Sequence, residues 1–307
     1  MKTFFATLFA IAISHYLQAQ GCSDAGFCTA GNFNDQHQAG ALKPSYKNEI
    51  DLVYNYGTHG KNEKFYQPQL NYRFINKNNT TWELRLPYNT AKNTATGISN
   101  SGIGDVVATY NHSLRIGTQK NIAYSIGLRV SLSDAIAKAK DATTSYPMYL
   151  QAGLGTTDLI AVANYDIIKY LSIGAGVQLP ILQYNQNKIR ILQPGYAGGF
   201  IIGEGYRRQP DALLKLTGHY ALGKLKLNGT VLGIFHLAND YYNIPSNKYY
   251  LIGSKGSTIN LAAECSYAVS TRLTLGLLYA SPIKTRTNIP DGLARSSIFS
   301  PKFSFRF

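Results

Sequence analysis

The sequence predicts an all-β chain, a transmembrane antiparallel up-and-down β-barrel of about twelve strands and of the bacterial outer-membrane type. Three observations carry this expectation. Stretches with an apolar residue at every second position recur from residue 47 to the end, one face of them carries no charge, and the connections between them alternate between short and long.

Composition narrows the alternatives. Of 307 residues, 45% are hydrophobic and only 15% charged, which argues against both disorder and an ordinary cytosolic enzyme. A net charge of +14 would suit a nucleic-acid binder only if the basic residues clustered, and no run of three exists. Nucleic acid is therefore not an expected partner.

The chain opens with Lys2, an apolar stretch from Phe4 to Ile13 broken only by Thr7, and then Leu17-Gln18-Ala19-Gln20. This reads as a secretory signal over residues 1–20. Its apolar core is too short to span the ~30 Å of a bilayer. Lipid attachment at Cys22 is disfavoured because the leucine expected three residues earlier is missing. Residues 21–46 fall outside the alternation and are expected to form a periplasmic or plug segment. Export would place Cys22 and Cys28 in an oxidising compartment, where they are expected to form a disulfide. Cys265 is expected on the lipid face, out of their reach.

Residues 47–307 form the barrel. The clearest strand is 122–132, whose even positions read Ile, Tyr, Ile, Leu, Val, Leu. Similar alternation marks 82–88, 171–179, 259–267, 273–279 and 299–307, with weaker copies at 50–56, 70–74, 106–114, 159–167, 212–220 and 225–237. Successive side chains of a strand point to opposite faces. The apolar set holds no charge, as lipid demands, since a cation at the midplane costs about 2–4 kcal/mol. The opposite set holds Glu49, Asp51, Arg73, Glu83, Arg85, Asp105, Arg129, Asp158, Lys215, Lys226, Glu264, Arg272, Lys302 and Arg306.

Short links are expected near 76–79, 117–120, 168–170, 222–223 and 269–270, and longer loops over about 57–65, 89–103, 133–155, 182–210, 238–256 and 282–296. Short periplasmic turns and long outer loops are the outer-membrane pattern, whereas a soluble sandwich has no reason to alternate. Aromatic residues fall in two girdles. Phe74, Trp82, Tyr124, Tyr165, Tyr220, Tyr267 and Phe305 lie towards the periplasmic rim, and Tyr54, Tyr56, Tyr88 and Tyr279 towards the outer one. The final Phe303-Ser304-Phe305-Arg306-Phe307 resembles the assembly signal of bacterial outer-membrane barrels, which implies the barrel-assembly machinery as a partner.

Asp105, Asp158 and Asp211 recur at equal spacing, each opening an inward-running strand. The first two follow Gly102-Ile103-Gly104 and Gly153-Leu154-Gly155, where glycines would let the chain turn tightly and offer a carboxylate at the outer mouth. The stretch Gly102-Ile-Gly-Asp-Val-Val-Ala-Thr-Tyr110, the later Gly155-Thr-Thr-Asp-Leu-Ile-Ala161 and the Phe-terminated last strand resemble the outer-membrane transporters of the phenol meta-degradation pathway. Those are relatives of the fatty-acid-transporter barrels. The resemblance implies passive uptake of small, often hydrophobic compounds. Twelve strands rather than the fatty-acid transporter's fourteen, and the 21–28 segment, depart from that pattern.

Catalysis finds no support. Asn111-His112-Ser113 places neighbouring side chains on opposite faces, so His112 reads as an interfacial ring rather than a base. His219 and His236 read as wall residues at opposite ends. No metal-ligand spacing occurs and no cofactor is expected. Arg73, Arg85, Asp105, Arg129, Asp158, Asp211, Lys215 and Arg272 are expected to line the lumen. The outer loops are unusually apolar. Tyr196, Phe200, Tyr206, Tyr241 and Tyr242 are expected either to pack as a lid or to capture solute. The expected function is an outer-membrane channel for passive uptake of small hydrophobic or amphipathic compounds. Alternatives are a general weakly anion-selective porin and a closed structural or adhesive surface barrel. Outer-membrane lipid, lipopolysaccharide and a small-molecule solute are the remaining expected partners.

Overall fold

A computed structural model describes residues 46–59, 62–76, 79–116, 120–139, 143–192, 200–244, 247–290 and 297–307. Twelve long antiparallel strands close into a barrel. They are β1 (Asn48–His59), β2 (Glu63–Asn76), β3 (Thr80–Asn93), β5 (Val106–Ile116), β6 (Lys120–Val130), β7 (Thr156–Ile168), β8 (Leu171–Gln183), β12 (Asp211–Leu222), β13 (Leu225–His236), β16 (Gly256–Ala268), β17 (Leu273–Lys284) and β18 (Ser297–Arg306). Each pairs with its neighbours in that order, and β18 pairs with β1 to close the ring. Every strand expected from the alternation is present, and each reaches or outruns the outer-rim end of its apolar stretch except β6 and β13, which stop short at Val130 and His236.

Among the described residues, six short strands lie beyond the outer rim. β4 (Ser99–Ile103) extends the line of β5 along β3, β9 (Arg190–Leu192) pairs with β10 (Phe200–Ile202), and β11 (Tyr206–Arg207) pairs with β14 (Tyr241–Ile244), which pairs with β15 (Asn247–Tyr250). A short 3-10 turn at Met148–Leu150 sits among them. One expected long loop is not long. β1 and β2 continue pairing as far as His59↔Glu63, so the expected loop over 57–65 is a tight hairpin end. Above the membrane no lipid enforces alternation, and the mixed polar sequence there hid the strand ends.

The side chains sort as a bilayer requires. Leu52, Trp82, Tyr220 and Tyr279 are 55%, 56%, 56% and 51% exposed on the outside. On the inside Asp51, Arg129, Asp158 and Asp211 are each 0% exposed. Phe74, Trp82, Tyr220, Tyr267 and Phe305 at one end, and Tyr54, Tyr88 and Tyr279 at the other, stand exposed as the two expected girdles. The closed barrel with its apolar outer belt is the architecture of a bacterial outer-membrane protein, and that is where the chain resides. Cys265 is a free, exposed cysteine on the lipid face. Cys22 and Cys28 lie outside the described residues, as does nearly all of the expected 21–46 segment.

Candidate functional site: the lumen and its walls

Three regions of the barrel carry unusual chemistry. The first is a buried chain of charges at the outer end. Arg129 on β6 pairs with Asp158 on β7 and lies 3.7 Å from Asp105. Asp158 also accepts from Arg208 at 3.0 Å, and Arg208 pairs with Asp211. His236 at the end of β13 joins Asp211 at 2.7 Å to Asp240 at 2.8 Å, and Tyr206 Oη donates to Asp240 at 3.0 Å. The equally spaced aspartates thus belong to one network. Asp105 lies on the link between β4 and β5. Burial pushes its carboxyl up, against the pull of the Arg129 guanidinium. At Gly155, φ is +69°, and an added Cβ would press on the Asn185 backbone, so the tight turn before Asp158 does need glycine.

Arg208 was not legible in the sequence because it lies in what reads as a loop, and although Asp211 is three residues on, its other partner Asp158 lies 50 residues back. On the opposite wall Arg73 joins Glu49 and Asp51, with Glu83 at 3.5 Å, and Arg85 donates to Glu83 at 2.5 Å. Lys215 is 3% exposed on the inner face of β12. Arg272 departs from its expected place in the lumen. It sits on the turn before β17, exposed, with its guanidinium 5.7 Å from the Tyr46 ring centroid.

Tyr206 and Tyr242 are buried, ring centroids 6.3 Å apart, in a cluster with Ala135, Met148 and Leu154 that packs the outer loops together. Tyr241 packs against Tyr250 with ring centroids 5.9 Å apart and planes tilted by 54°, and Lys248 lies above the Tyr241 ring. Tyr196 lies outside the described residues, as does the side chain of Phe200.

The second region is apolar and inside. Ile160 and Val162 on β7, Leu213 on β12, and Leu232 and Ile234 on β13 form a buried cluster on the lumen face. The sequence concealed it because both faces of these strands are apolar there, as in Leu159-Ile160-Ala161-Val162.

The third region is the wall around β1. Proline cannot donate to a ladder, and here three interrupt neighbouring seams. Between β1 and β18 the register steps from Val53↔Lys302 to Tyr56↔Phe299, skipping Tyr54, Asn55, Ser300 and Pro301. Between β2 and β3 it steps from Tyr66↔Thr90 to Gln69↔Pro87, skipping Gln67, Pro68, Tyr88 and Asn89. On the other side of β3, Pro87 falls in the gap between the pairings with β4 and β5.

Side chains bridge these gaps on the inside. Ser300 Oγ donates to Asn55 Oδ1 at 2.6 Å, Asn55 Nδ2 to Gln67 Oε1 at 2.9 Å, Gln67 Nε2 to Asn89 Oδ1 at 2.7 Å, and Asn89 Nδ2 to the Ala152 carbonyl at 2.5 Å. Outside, a groove of about 760 Å³ lies over the same place, lined by residues that include Leu52, Tyr54, Pro68, Leu70, Pro301 and Phe303.

No protein-family model matches the sequence, and neither does any curated protein. Among solved structures, the fold is similar to an outer membrane channel from Pseudomonas putida F1, at 12% identity and a TM-score of 0.61, over 87% of this chain and 97% of that one. The NanC porin aligns at 14% identity and a TM-score of 0.46, over 85% and 100% of the two chains. The CymD monoaromatic hydrocarbon channel aligns at 10% identity and 0.41, over 90% and 92%. The first likeness shows the shared barrel architecture.

Proposed function

We propose that the chain is a passive outer-membrane channel for small hydrophobic or amphipathic compounds, of the kind its resemblance to the phenol-pathway transporters implies. The observation that carries this reading is the interrupted wall at β18, β1, β2 and β3 under an apolar groove of about 760 Å³. That volume falls within the range of small-molecule sites. A seam with skipped rungs has fewer hydrogen bonds to break than an unbroken ladder, each worth about 1 kcal/mol net, so it gives way at lower cost.

The apolar lumen cluster on β7, β12 and β13 supports the same reading, since it lies on strands about half-way round the ring from β1. In this reading Arg73, Arg85, Asp105, Arg129, Asp158, Asp211 and Lys215 set the polar lining. Tyr206 and Tyr242 hold the outer loops together, and Tyr241 contributes to solute capture. The C-terminal strand ending at Phe307 is the segment read by the assembly machinery, and lipopolysaccharide surrounds the outer rim.

The test is solute uptake into proteoliposomes. Toluene-like and phenol-like compounds should equilibrate faster with the protein than without it, while glucose should not. Equal acceleration of glucose would instead favour the general porin.

A further inference from the structure

Above the apolar groove, on the outside of the same wall, one rung of the sheet carries chemistry that the channel reading does not use. Lys64 on β2 stands directly opposite Lys92 on β3. The rung continues through Thr58 of β1 to Ser297 of β18 on one side and to Ser99 of β4 on the other. By the alternation of each strand these positions share the outward face with the exposed Leu52, Leu70, Leu86 and Phe299.

Like charges placed directly opposite on a sheet destabilise it. Both lysines are exposed, and among the described residues neither is ion-paired. Glu63 is next to Lys64 in the chain but belongs to the inner face, where Asn93 Nδ2 donates to it at 3.3 Å. Two ammonium groups and three hydroxyls thus line up across five strands. The ends of β8 and β17 expose Ile181 and Ile283 instead.

The chemistry changes in steps down this wall. The next outward rung holds Tyr56 and Tyr66, with ring centroids 5.4 Å apart. Below it come Tyr54 and Pro68, and then Phe303, Leu52, Leu70 and Leu86, which line the groove. That last rung lies six residues from the lysines, about 20 Å along a strand. With a tilt of about 40° this is roughly 15 Å of depth. Cations, then aromatic rings, then an apolar groove follow the order of phosphate, interface and acyl chain in one lipid of the outer leaflet.

We propose that this wall binds a phosphorylated glycolipid of the outer leaflet, lipopolysaccharide, with one phosphate bridging Lys64 and Lys92 and one acyl chain in the groove. A phosphate between the lysines replaces a repulsion by charge-assisted hydrogen bonds. The acyl chain covers the β1–β18 seam from outside. The site goes beyond the channel reading and needs only the barrel in its membrane.

Binding of lipid A to the detergent-purified chain, followed by native mass spectrometry, tests this without measuring flux, so its failure is distinct from failure of the channel reading. Diphosphoryl lipid A should bind more tightly than its dephosphorylated form. The double variant Lys64→Gln, Lys92→Gln should bind the diphosphoryl form roughly fivefold more weakly, the size expected for two exposed cations, and should no longer tell the two forms apart. An unchanged gel shift between unboiled and boiled samples checks its barrel. The double variant Lys248→Gln, Lys255→Gln, which removes two exposed lysines elsewhere on the outer loops, should bind like the wild type. Neither the deacylated phosphodisaccharide nor inorganic phosphate in large excess should displace the lipid. Equal binding of both lipid A forms to the wild type, an equal loss in the two double variants, or displacement by either chain-free phosphate would overturn the proposal.

Discussion

The wall around β1 and the wall formed by β12, β13 and β16 are built from the same kind of strand, yet they are held differently. In the second, pairing runs without a break from Asp211↔His236 to Leu222↔Leu225 and from Leu225↔Tyr267 to His236↔Gly256. Its outer end is tied by the ion-paired Asp211, His236 and Asp240. In the first, Pro68, Pro87 and Pro301 interrupt three seams and amide side chains fill the gaps. A barrel needs closure, but closure does not require every rung. The skipped rungs beside Pro68, Pro87 and Pro301 cluster on one side, outward of the Arg73, Glu49 and Asp51 ion pairs. By contrast, β7–β8 and β16–β17 carry register shifts but go on pairing. That division permits one stretch of wall to yield while the rest keeps the shape.

The largest expected effect comes from attacking the buried charge chain that links β6 and β7 through Arg208 to the outer end of that second wall. Arg129→Leu leaves Asp158 and Asp105 buried without their shared guanidinium. Breaking a buried pair by removing one partner costs about 3–5 kcal/mol. A lower urea midpoint for loss of the unboiled gel form should report this, and an unchanged midpoint would mean that the charge chain contributes little.

A smaller difference separates the backbones themselves. Hydrogen exchange in detergent should show amides near Tyr54, Asn55 and Ser300 exchanging at least tenfold faster than those of Leu216 and Val231 at mid-wall, since local openings need less free energy where rungs are missing. Equal protection would erase the distinction between the walls.

Paired substitutions then sharpen it in both directions. Asn55→Ala removes two links of the amide relay and should raise uptake of apolar solutes several-fold, at a stability cost of about 1–2 kcal/mol. Pro301→Thr returns an N–H to the seam and should slow the same uptake, with a gain of about 0.5–1 kcal/mol.

Much of this division was not visible in the sequence. The strands were, because lipid on one face imposes strict alternation, as in Ile122 to Leu132. The inward place of Asp105, Asp158 and Asp211 followed from the same period. Where lipid is absent the signal failed. The outer strands β9, β10, β11, β14 and β15 read as loops, and the β1–β2 hairpin looked shorter than it is. Arg208 and Asp240 join residues that only the closed ring brings together. The prolines stand in plain sight, but their meaning depends on which neighbour each fails to bond, and that is a property of register.

The central claim is that the β1–β18 seam is the part of the wall that yields. Asn55→Cys with Ser300→Cys, made with Cys22, Cys28 and Cys265 changed to Ser, places a reducible bridge across the seam where the two side chains already touch. Thr217→Cys with Thr230→Cys places one inside the firm wall, where the hydroxyls lie 3.1 Å apart. Uptake of an apolar solute into proteoliposomes is then measured before and after reduction. The account predicts that the oxidised seam bridge stops uptake, that reduction restores it, and that the bridge in the firm wall has no effect in either state. Uptake at the wild-type rate through a fully oxidised seam would contradict it.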